Sequence, residues 1–401
     1  MSAPVPPPAL RLILLRGPGD GPEAGSVAET IRRAFSGGID PGGSYLAGGE
    51  ELNVDLRDYA GLPNGGAEAL DLIRDSLHSL VAVLVRRPAR DEQLAWDAWV
   101  LELDAIAREA AQSGERHGFL MIDLDGSGRD VIRAAPETGR FQLLELRDLG
   151  EEAVRPAHAA VRVLHHARLL LAGGLGLAAG DKLRFFISHA KMDGLPLALA
   201  LKALLKDPLK LDAWYDADDI VPGSDWQKAL RQGVLSSVLI VLRTENYDLR
   251  PWCRQEVLWA EDFAAPMIVV EARTRLLHAP SPLPLSAAPW VRVGDGNLVR
   301  VVYAALRESL RLLLFRRRVK ALEDDRLIPA GCVVLPRTPG LRTMLQAGRD
   351  LLARTPPGAD KMILYPEPPL AEAERFAAES ILASIDPSIR LLTETDAAAD
   401  V

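Results

Sequence analysis

Short apolar runs alternate with longer amphipathic segments along this chain of 401 residues. Runs such as Leu80–Val85 and Val238–Leu242 are apolar at every position, which is typical of parallel strands buried on both faces. The segments between the runs repeat apolar residues every three or four positions, as an amphipathic helix does. This alternation predicts an α/β fold with mainly parallel sheets and flanking helices.

The predicted strands and helices cover most of the chain. The strands are expected at Leu10–Leu15, Leu52–Leu56, Leu80–Val85, Phe119–Ile122, Phe141–Leu146, Leu183–Ile187, Leu211–Tyr215, Val238–Leu242, Met267–Val270, Trp290–Val293, 332–336, 361–365 and 389–394. The helices are expected at 26–36, Ala67–Leu77, Asp91–Ala111, Arg155–Leu171, Leu195–Leu205, from about Asp225, Trp252–Phe263, Leu298–Leu314, 339–354 and 371–384. The basic run FRRRVK (315–320) is expected at a helix end, where cations complement the helix dipole. The final residues, DAAAD (396–400), are expected to fray.

Breaks in this pattern predict three units. The glycine-rich segment LAGGLGLAAGD (171–181) interrupts the periodicity and is expected to be a linker. It separates an N-terminal α/β unit, residues 1–172, from a second unit, residues 182–318. A small β-α-β-α-β unit is expected at residues 326–401.

Composition and charge narrow the class of protein. The net charge of −8 argues against a nucleic-acid binder, which usually carries a basic stripe. Cys253 and Cys332 are the only cysteines, which excludes a disulfide framework and a thiolate zinc site and suits a reducing cytoplasm. No apolar stretch is long enough to predict a signal peptide or a membrane span. We therefore expect a cytoplasmic protein without a membrane partner.

One predicted helix combines an apolar face with a single acid. Trp252, Cys253, Glu256, Ala260 and Phe263 fall at spacings of three and four residues, so they are expected to share a face. Glu256 is the only charged residue among them. Because a carboxylate is rarely buried unless it is paired or functional, Glu256 is a candidate catalytic residue. The alternative is a solvated glutamate at the edge of the helix.

Three polar elements are expected to meet at one rim of the second unit. SHAKMDG (188–194) follows its first predicted strand, DADDIVPGSDW (216–226) follows the second, and Glu256 follows the third. Ligands of open parallel sheets bind outside the carboxyl ends of the strands. The sequence therefore predicts a binding site at this rim.

These residues also resemble a known family. FISHA (186–190), the loop that ends in PGSDW (222–226), and a W-x-x-x-E motif at Trp252–Glu256 occur in the order found in the TIR (Toll/interleukin-1 receptor) domain of bacteria. The resemblance covers about Lys182–Arg317 and implies a flavodoxin-like fold. In NAD-cleaving members the acid of W-x-x-x-E is catalytic, which assigns that role to Glu256.

The resemblance implies a substrate, an activity and partners. NAD would be the substrate, with no cofactor and no metal. The residues expected to bind it are Phe186, Ser188, His189, Trp214, Asp219, Trp226 and Trp252. The implied activity is that of an NAD glycohydrolase, which cleaves the nicotinamide–ribose bond as an effector of bacterial antiphage defence. Self-association through TIR domains is implied, as is an activating ligand or partner protein. The alternative is a non-catalytic TIR scaffold that signals by assembly alone.

The N-terminal unit resembles the second unit weakly. SLHSLVAVLVR (76–86) is similar to GVLSSVLIVLR (233–243), which indicates either an internal duplication or the general likeness of buried strands. Counting forward equally from the two final arginines places Trp99 at the position of Glu256. We therefore expect a TIR-like or Rossmann-like N-terminal unit without a catalytic acid, with a sensing, dimerising or regulatory role.

Overall fold

The structure is a computed structural model. It describes residues 8–19, 21–36, 52, 54–62, 66–173, 183–214, 226–275, 285, 288–293, 297–329, 331–356 and 358–399. Within these ranges, short strands alternate with helices as the apolar pattern predicts.

The strands of the described residues fall close to the apolar runs. They are β1 (Arg11–Arg16), β2 (Asp55–Ala60), β3 (Ser79–Val85), β4 (His117–Asp123), β5 (Leu143–Glu145), β6 (Arg184–His189), β7 (Asp212–Trp214), β8 (Ser237–Arg243), β9 (Met267–Glu271), β10 (Trp290–Arg292), β11 (Val333–Val334), β12 (Lys361–Tyr365) and β13 (Ile389–Thr393). Every residue of β3, β8, β9 and β12 is buried, which explains the apolar runs that make up most of each strand.

The helices connect and flank these strands. They are α1 (Pro22–Phe35), α2 (Ala67–Arg74), α3 (Gln93–Gln112), α4 (Gly128–Ala134), α5 (Arg155–Gly173), α6 (Leu195–Lys206), α7 (Trp226–Leu235), α8 (Pro251–Asp262), α9 (Val299–Asp324), α10 (Leu341–Arg354), α11 (Glu372–Ala383) and α12 (Glu394–Ala399). None of the helices in the described ranges is both long and apolar enough to cross a membrane.

The strands form three sheets, and two of them share one order. The first sheet has the order β2-β1-β3-β4-β5, and its neighbouring strands are parallel. The second has the order β7-β6-β8-β9-β10 when it is read from the β7 edge. This is the flavodoxin-like order 2-1-3-4-5, in which the direction of strand addition reverses between the first and third strands. The shared order agrees with the similarity between the sequences at 76–86 and 233–243.

The third sheet is smaller. It has the order β11-β12-β13, with parallel pairing throughout. Apolar residues of α10 and α11 pack on it, including Met344, Leu351 and Leu382. The C-terminal residues thus form the β-α-β-α-β arrangement that the sequence predicts.

Contacts divide the chain into two compact units. The first comprises Met1–Arg184, Pro196–Ala213 and Trp290–Leu314, and the second comprises Phe185–Leu195, Trp214–Pro289 and Phe315–Val401. The three unit boundaries drawn from the sequence, 1–172, 182–318 and 326–401, stay predictions. The linker predicted at 171–181 falls mostly on residues outside the described ranges.

Two expectations about the C-terminal part are wrong. The basic run at 315–320 does not lie at a helix end, because α9 continues to Asp324. Phe315, Val319 and Leu322 are buried and keep a spacing of four and three residues, so the helix retains an apolar stripe past the arginines. Arginine and lysine are themselves good helix formers.

The chain end before residue 400 is also helical rather than frayed. Residues 394–399 form α12. Thr393 caps this helix, since its Oγ1 accepts a hydrogen bond from the backbone N–H of Asp396 at 3.1 Å. Arg318 Nη2 lies 2.7 Å from Glu394 Oε1, which anchors the first turn. Capping and an ion pair together offset the fraying that is usual at a terminus.

Candidate functional site

The carboxylate of Glu256 is buried at the carboxyl end of the second sheet. Helix α8 begins with Pro251 at its first turn, where the fixed φ angle of proline favours helix initiation. One and a half turns later, Glu256 is only 6% exposed. Ser188, near the end of β6, donates a hydrogen bond from Oγ to Glu256 Oε2 at 2.5 Å. The acid is therefore held by the first strand of the sheet and does not project into bulk solvent.

A buried tyrosine extends this hydrogen-bonded chain. Tyr247 follows β8 in a short turn, and its Oη lies 2.6 Å from Ser188 Oγ. A longer contact of 3.4 Å joins Tyr247 Oη to the backbone carbonyl of Cys253. Because the serine proton goes to Glu256, the tyrosine proton goes to Ser188. The hydroxyls thus point in sequence from Tyr247 through Ser188 to the carboxylate.

The surroundings of Tyr247 keep its hydroxyl protonated. Burial raises the pKa of Tyr247 well above its ordinary value of 10, and the nearby Cys253 and Glu256 raise it further. The hydrogen bond to Ser188 opposes this increase without reversing it. Tyr247 therefore remains a neutral donor throughout the physiological pH range.

One aspartate joins the two loops that border the site. Asp193 lies in the loop after β6 and accepts a hydrogen bond from Thr244 Oγ1 at 2.8 Å. It also accepts two from Asn246, one from the backbone N–H at 3.0 Å and one from Nδ2 at 2.9 Å. These bonds connect the chain that follows Ser188 to the chain that precedes Tyr247.

An ion network at the ends of β8 and β9 supports the same loop. Arg243 is only 2% exposed, and its Nη2 lies 2.7 Å from Asp248 Oδ2. Its Nη1 lies 3.5 Å from Glu271 Oε2, and Arg273 Nη2 lies 2.7 Å from the same oxygen. Asp248 directly follows Tyr247, so the network fixes the turn that presents the tyrosine.

These elements meet where the strand order reverses. Ser188 belongs to β6, and both Tyr247 and Glu256 follow β8, its neighbour in the sheet. The crevice at such a point is where ligands bind in open α/β sheets. All three residues belong to the second compact unit. Across the described ranges, no group of three or more His, Cys, Asp and Glu side chains could hold a metal ion.

Comparison with known families decides the class of this segment. Residues 185–314 match the family model described as "TIR domain". This segment of the chain is a TIR domain. No curated protein matches the chain. The solved structures that match include tagatose-6-phosphate ketose/aldose isomerase from Escherichia coli, at 12% identity over 78% of this chain and 84% of that chain, with a TM-score of 0.21. That score is too low to carry any argument.

Three of the residues expected to bind substrate lie in the first strand of the TIR domain. Phe186 and Ser188 share a face of β6, because side chains alternate along a strand, and both are buried. His189 is buried on the other face, with Nδ1 3.2 Å from the carbonyl of Ile187. Among these three, Ser188 contacts Glu256 through the hydrogen bond that its Oγ donates.

The remaining expected substrate-binding residues come from two other parts of the TIR domain. Trp214 ends β7, Trp226 begins α7, and Asp219 lies outside the described residues, so the substrate-binding roles of these three stay predictions. Trp252 is 41% exposed, so its predicted burial together with Cys253 is wrong. Around the helix axis Trp252 lies between Glu256 and Trp259, which are both buried, so its exposure comes from its place in the first turn of α8.

The N-terminal unit places an indole where the TIR domain places its acid. Trp99 lies in α3, the helix after β3, as Glu256 lies in the helix after β8. It is 3% exposed, and a methyl group on Gly17 would lie 3.4 Å from its Cη2 atom. The penultimate residue of β1 is Leu15, whereas β6 has Ser188 there. This unit thus has the same strand order as the TIR domain with an apolar cluster in place of the carboxylate.

Sequence reasoning identified Ser188 but missed the residues that hold it and its loop in place. Tyr247, Asp193 and Arg243 occur in none of the motifs that indicated the family. One signal was present, since Tyr247 follows a buried strand and a buried tyrosine usually needs a hydrogen-bond partner. The sequence alone did not indicate that this partner would be Ser188.

Loss of Asp193 should loosen the border of the site. Asp193→Ala removes three hydrogen bonds between two loops, so we expect amide protection at 189–195 and 244–250 to fall about tenfold. Hydrogen exchange with mass spectrometry measures this change. Asp360→Ala, at an exposed position of the same unit, is the matched control. Unchanged exchange in both loops of Asp193→Ala would show that the three hydrogen bonds of Asp193 do not stabilise these loops.

Proposed function

We propose that the TIR domain cleaves NAD at the bond between nicotinamide and ribose, with Glu256 as the catalytic residue. The observation that supports this most is the position of its carboxylate, which is buried, held by Ser188, and located where the strand order reverses. A carboxylate at this position that had no function would only destabilise the protein, because a buried carboxylate loses its hydration.

The reaction requires only one carboxylate. Water adds to C1′ of the ribose, and the bond from C1′ to the pyridinium nitrogen breaks with its electron pair going to nicotinamide. Nicotinamide leaves as a neutral molecule, so no general acid is needed, and the proton of the attacking water passes to solvent. The products are nicotinamide, ADP-ribose and a proton; internal attack by the adenine base in place of water would give a cyclic product.

The role of Glu256 is then electrostatic. Positive charge develops on the ribose as the bond breaks, as in other glycoside cleavages. A carboxylate that is already oriented stabilises this charge without reorganising at the moment of reaction. The hydrogen bond from Ser188 fixes that orientation. NAD is the substrate in this proposal, and no metal or further cofactor takes part.

The second candidate is a TIR scaffold that signals by assembly alone. Exposed apolar side chains near the site favour a docking role, namely Met192, Leu249 and Trp252. A scaffold, however, has no need for a buried carboxylate that a serine hydroxyl holds in place. The enzyme therefore accounts for more of the geometry. By family resemblance it would act as an effector of antiphage defence that depletes NAD after an activating ligand or partner binds.

Product analysis with an assembly measurement separates the two candidates. Concentrated protein is incubated with NAD, with and without candidate activators, and the products are separated by chromatography. We expect nicotinamide to accumulate together with ADP-ribose or its cyclic form. Sedimentation of the same samples reports self-association. Assembled protein that leaves NAD intact would support the scaffold and contradict the enzyme.

A further inference from the structure

We infer that Tyr247 is a positioning residue that acts on Glu256 only through Ser188. The inference rests on the proposed function and extends it to Tyr247, a residue that no family motif indicated. Two short oxygen–oxygen distances carry it, 2.6 Å from Tyr247 Oη to Ser188 Oγ and 2.5 Å from Ser188 Oγ to Glu256 Oε2.

The direction of the chain follows from counting protons. A serine hydroxyl has one proton, and here it is donated to the carboxylate. Ser188 Oγ can then only accept from Tyr247, whose own single proton fills that bond. The 3.4 Å contact from Tyr247 to the carbonyl of Cys253 is much longer and competes weakly. Each hydroxyl polarises the next, which strengthens the bond that reaches Glu256.

The tyrosine is itself held from two sides. Its turn is fixed by Arg243 through Asp248, and by Asp193 through Asn246. A side chain in such a frame loses little rotational freedom when it orients a neighbour. Tyr247 thus restricts Ser188 to the rotamer that points at the carboxylate, without touching the substrate.

A double-mutant cycle tests whether the tyrosine acts through the serine. Ser188→Ala is expected to lower kcat for NAD cleavage about 30-fold, because a hydrogen bond to a charged group is lost. Tyr247→Phe is expected to lower kcat about fivefold, because one neutral bond is lost. In this scheme both side chains act on Glu256, and the positioning role of Ser188 replaces the NAD contact that the family resemblance implies. KM should therefore change by less than about twofold in both. In the Ser188→Ala background, Tyr247→Phe should have no further effect.

Three controls separate positioning from a general structural role. Tyr59→Phe makes the same chemical change in the other unit, where the hydroxyl donates to Glu68 at 2.8 Å, and should leave kcat unchanged. Ser188→Thr keeps a hydroxyl and should recover most of the loss seen with alanine. Thermal unfolding of every variant reports whether the fold persists. Multiplicative losses in the double variant, or a fall in KM and kcat together, would overturn the inference.

A second cycle keeps the test independent of catalysis. The midpoints of thermal unfolding are compared for Ser188→Ala, Glu256→Gln, Tyr247→Phe and their pairwise combinations. We expect each pair to be non-additive, since the three groups form one network. If the wild-type protein does not cleave NAD, the proposed function fails. This second cycle still shows whether Tyr247, Ser188 and Glu256 are coupled. Additive shifts for both Tyr247 with Ser188 and Ser188 with Glu256 would show that the chain does not exist in solution.

Discussion

Glu256→Gln is expected to lower the rate of NAD cleavage about 1,000-fold while leaving the fold intact. Glutamine keeps the size of the side chain and can still accept a hydrogen bond from Ser188, but it carries no negative charge. The developing charge on the ribose would then have no counter-charge in the site. Chromatography of NAD and nicotinamide over time gives the rate, and thermal unfolding checks the fold.

A matched control lies on the same helix. Glu261, five residues further along α8, is 2.7 Å from Arg342 and faces away from the hydrogen-bonded chain. Glu261→Gln makes the same chemical change, and we expect it to keep the wild-type rate within about twofold. Undiminished cleavage by Glu256→Gln would refute the catalytic assignment, whereas equal losses in both variants would indicate a general effect on the helix.

Among the substitutions considered, we expect Arg243→Met to lower the free energy of unfolding the most. The substitution leaves the buried carboxylate of Glu271 and the half-buried carboxylate of Asp248 with less positive charge nearby, and breaking one partner of a buried ion pair costs about 3–5 kcal/mol. For a unit of this size that corresponds to a fall in Tm of about 10 °C. Differential scanning calorimetry measures it. NAD cleavage should also fall, because the turn that carries Tyr247 loses its anchor.

An exposed ion pair provides the comparison. Arg108 and Asp104 are 2.7 Å apart on the surface of α3, and such pairs contribute little in water. Arg108→Met is therefore expected to change Tm by less than about 2 °C. If Arg243→Met shifts Tm no more than this control does, the network at the ends of β8 and β9 has no structural role.

The sequence predicts the fold well where burial alone decides it. The strand expected at 361–365 is found at Lys361–Tyr365, since a run of apolar residues between two helices has few alternatives. Edge strands are harder to predict. Strand β2 was expected at Leu52–Leu56 but lies at Asp55–Ala60, because it is placed by pairing with β1 and by the bond from Arg11 to Asp55. Those partners are more than forty residues away in the chain.

The candidate site was predictable as a location but not as a network. Glu256 and the loop after β6 follow from helical spacing and from the general position of ligand sites in parallel sheets. The link from Ser188 to Tyr247 joins residues 59 positions apart, and no periodic pattern encodes it. Trp252 shows the opposite error, since a spacing of four placed it beside Glu256 although the first turn of α8 leaves it exposed.

The buried indole of Trp99 makes it difficult for the N-terminal half to gain a carboxylate site by mutation. A carboxylate introduced there by Trp99→Glu would enter an apolar cluster that includes Leu15, with no serine hydroxyl on the neighbouring strand to receive it. We expect this carboxylate to take up a proton or to unfold its surroundings, and in either case it would not assist a reaction. A carboxylate site like that of Glu256 would therefore need several coordinated replacements in this half, so no single change at Trp99 creates one.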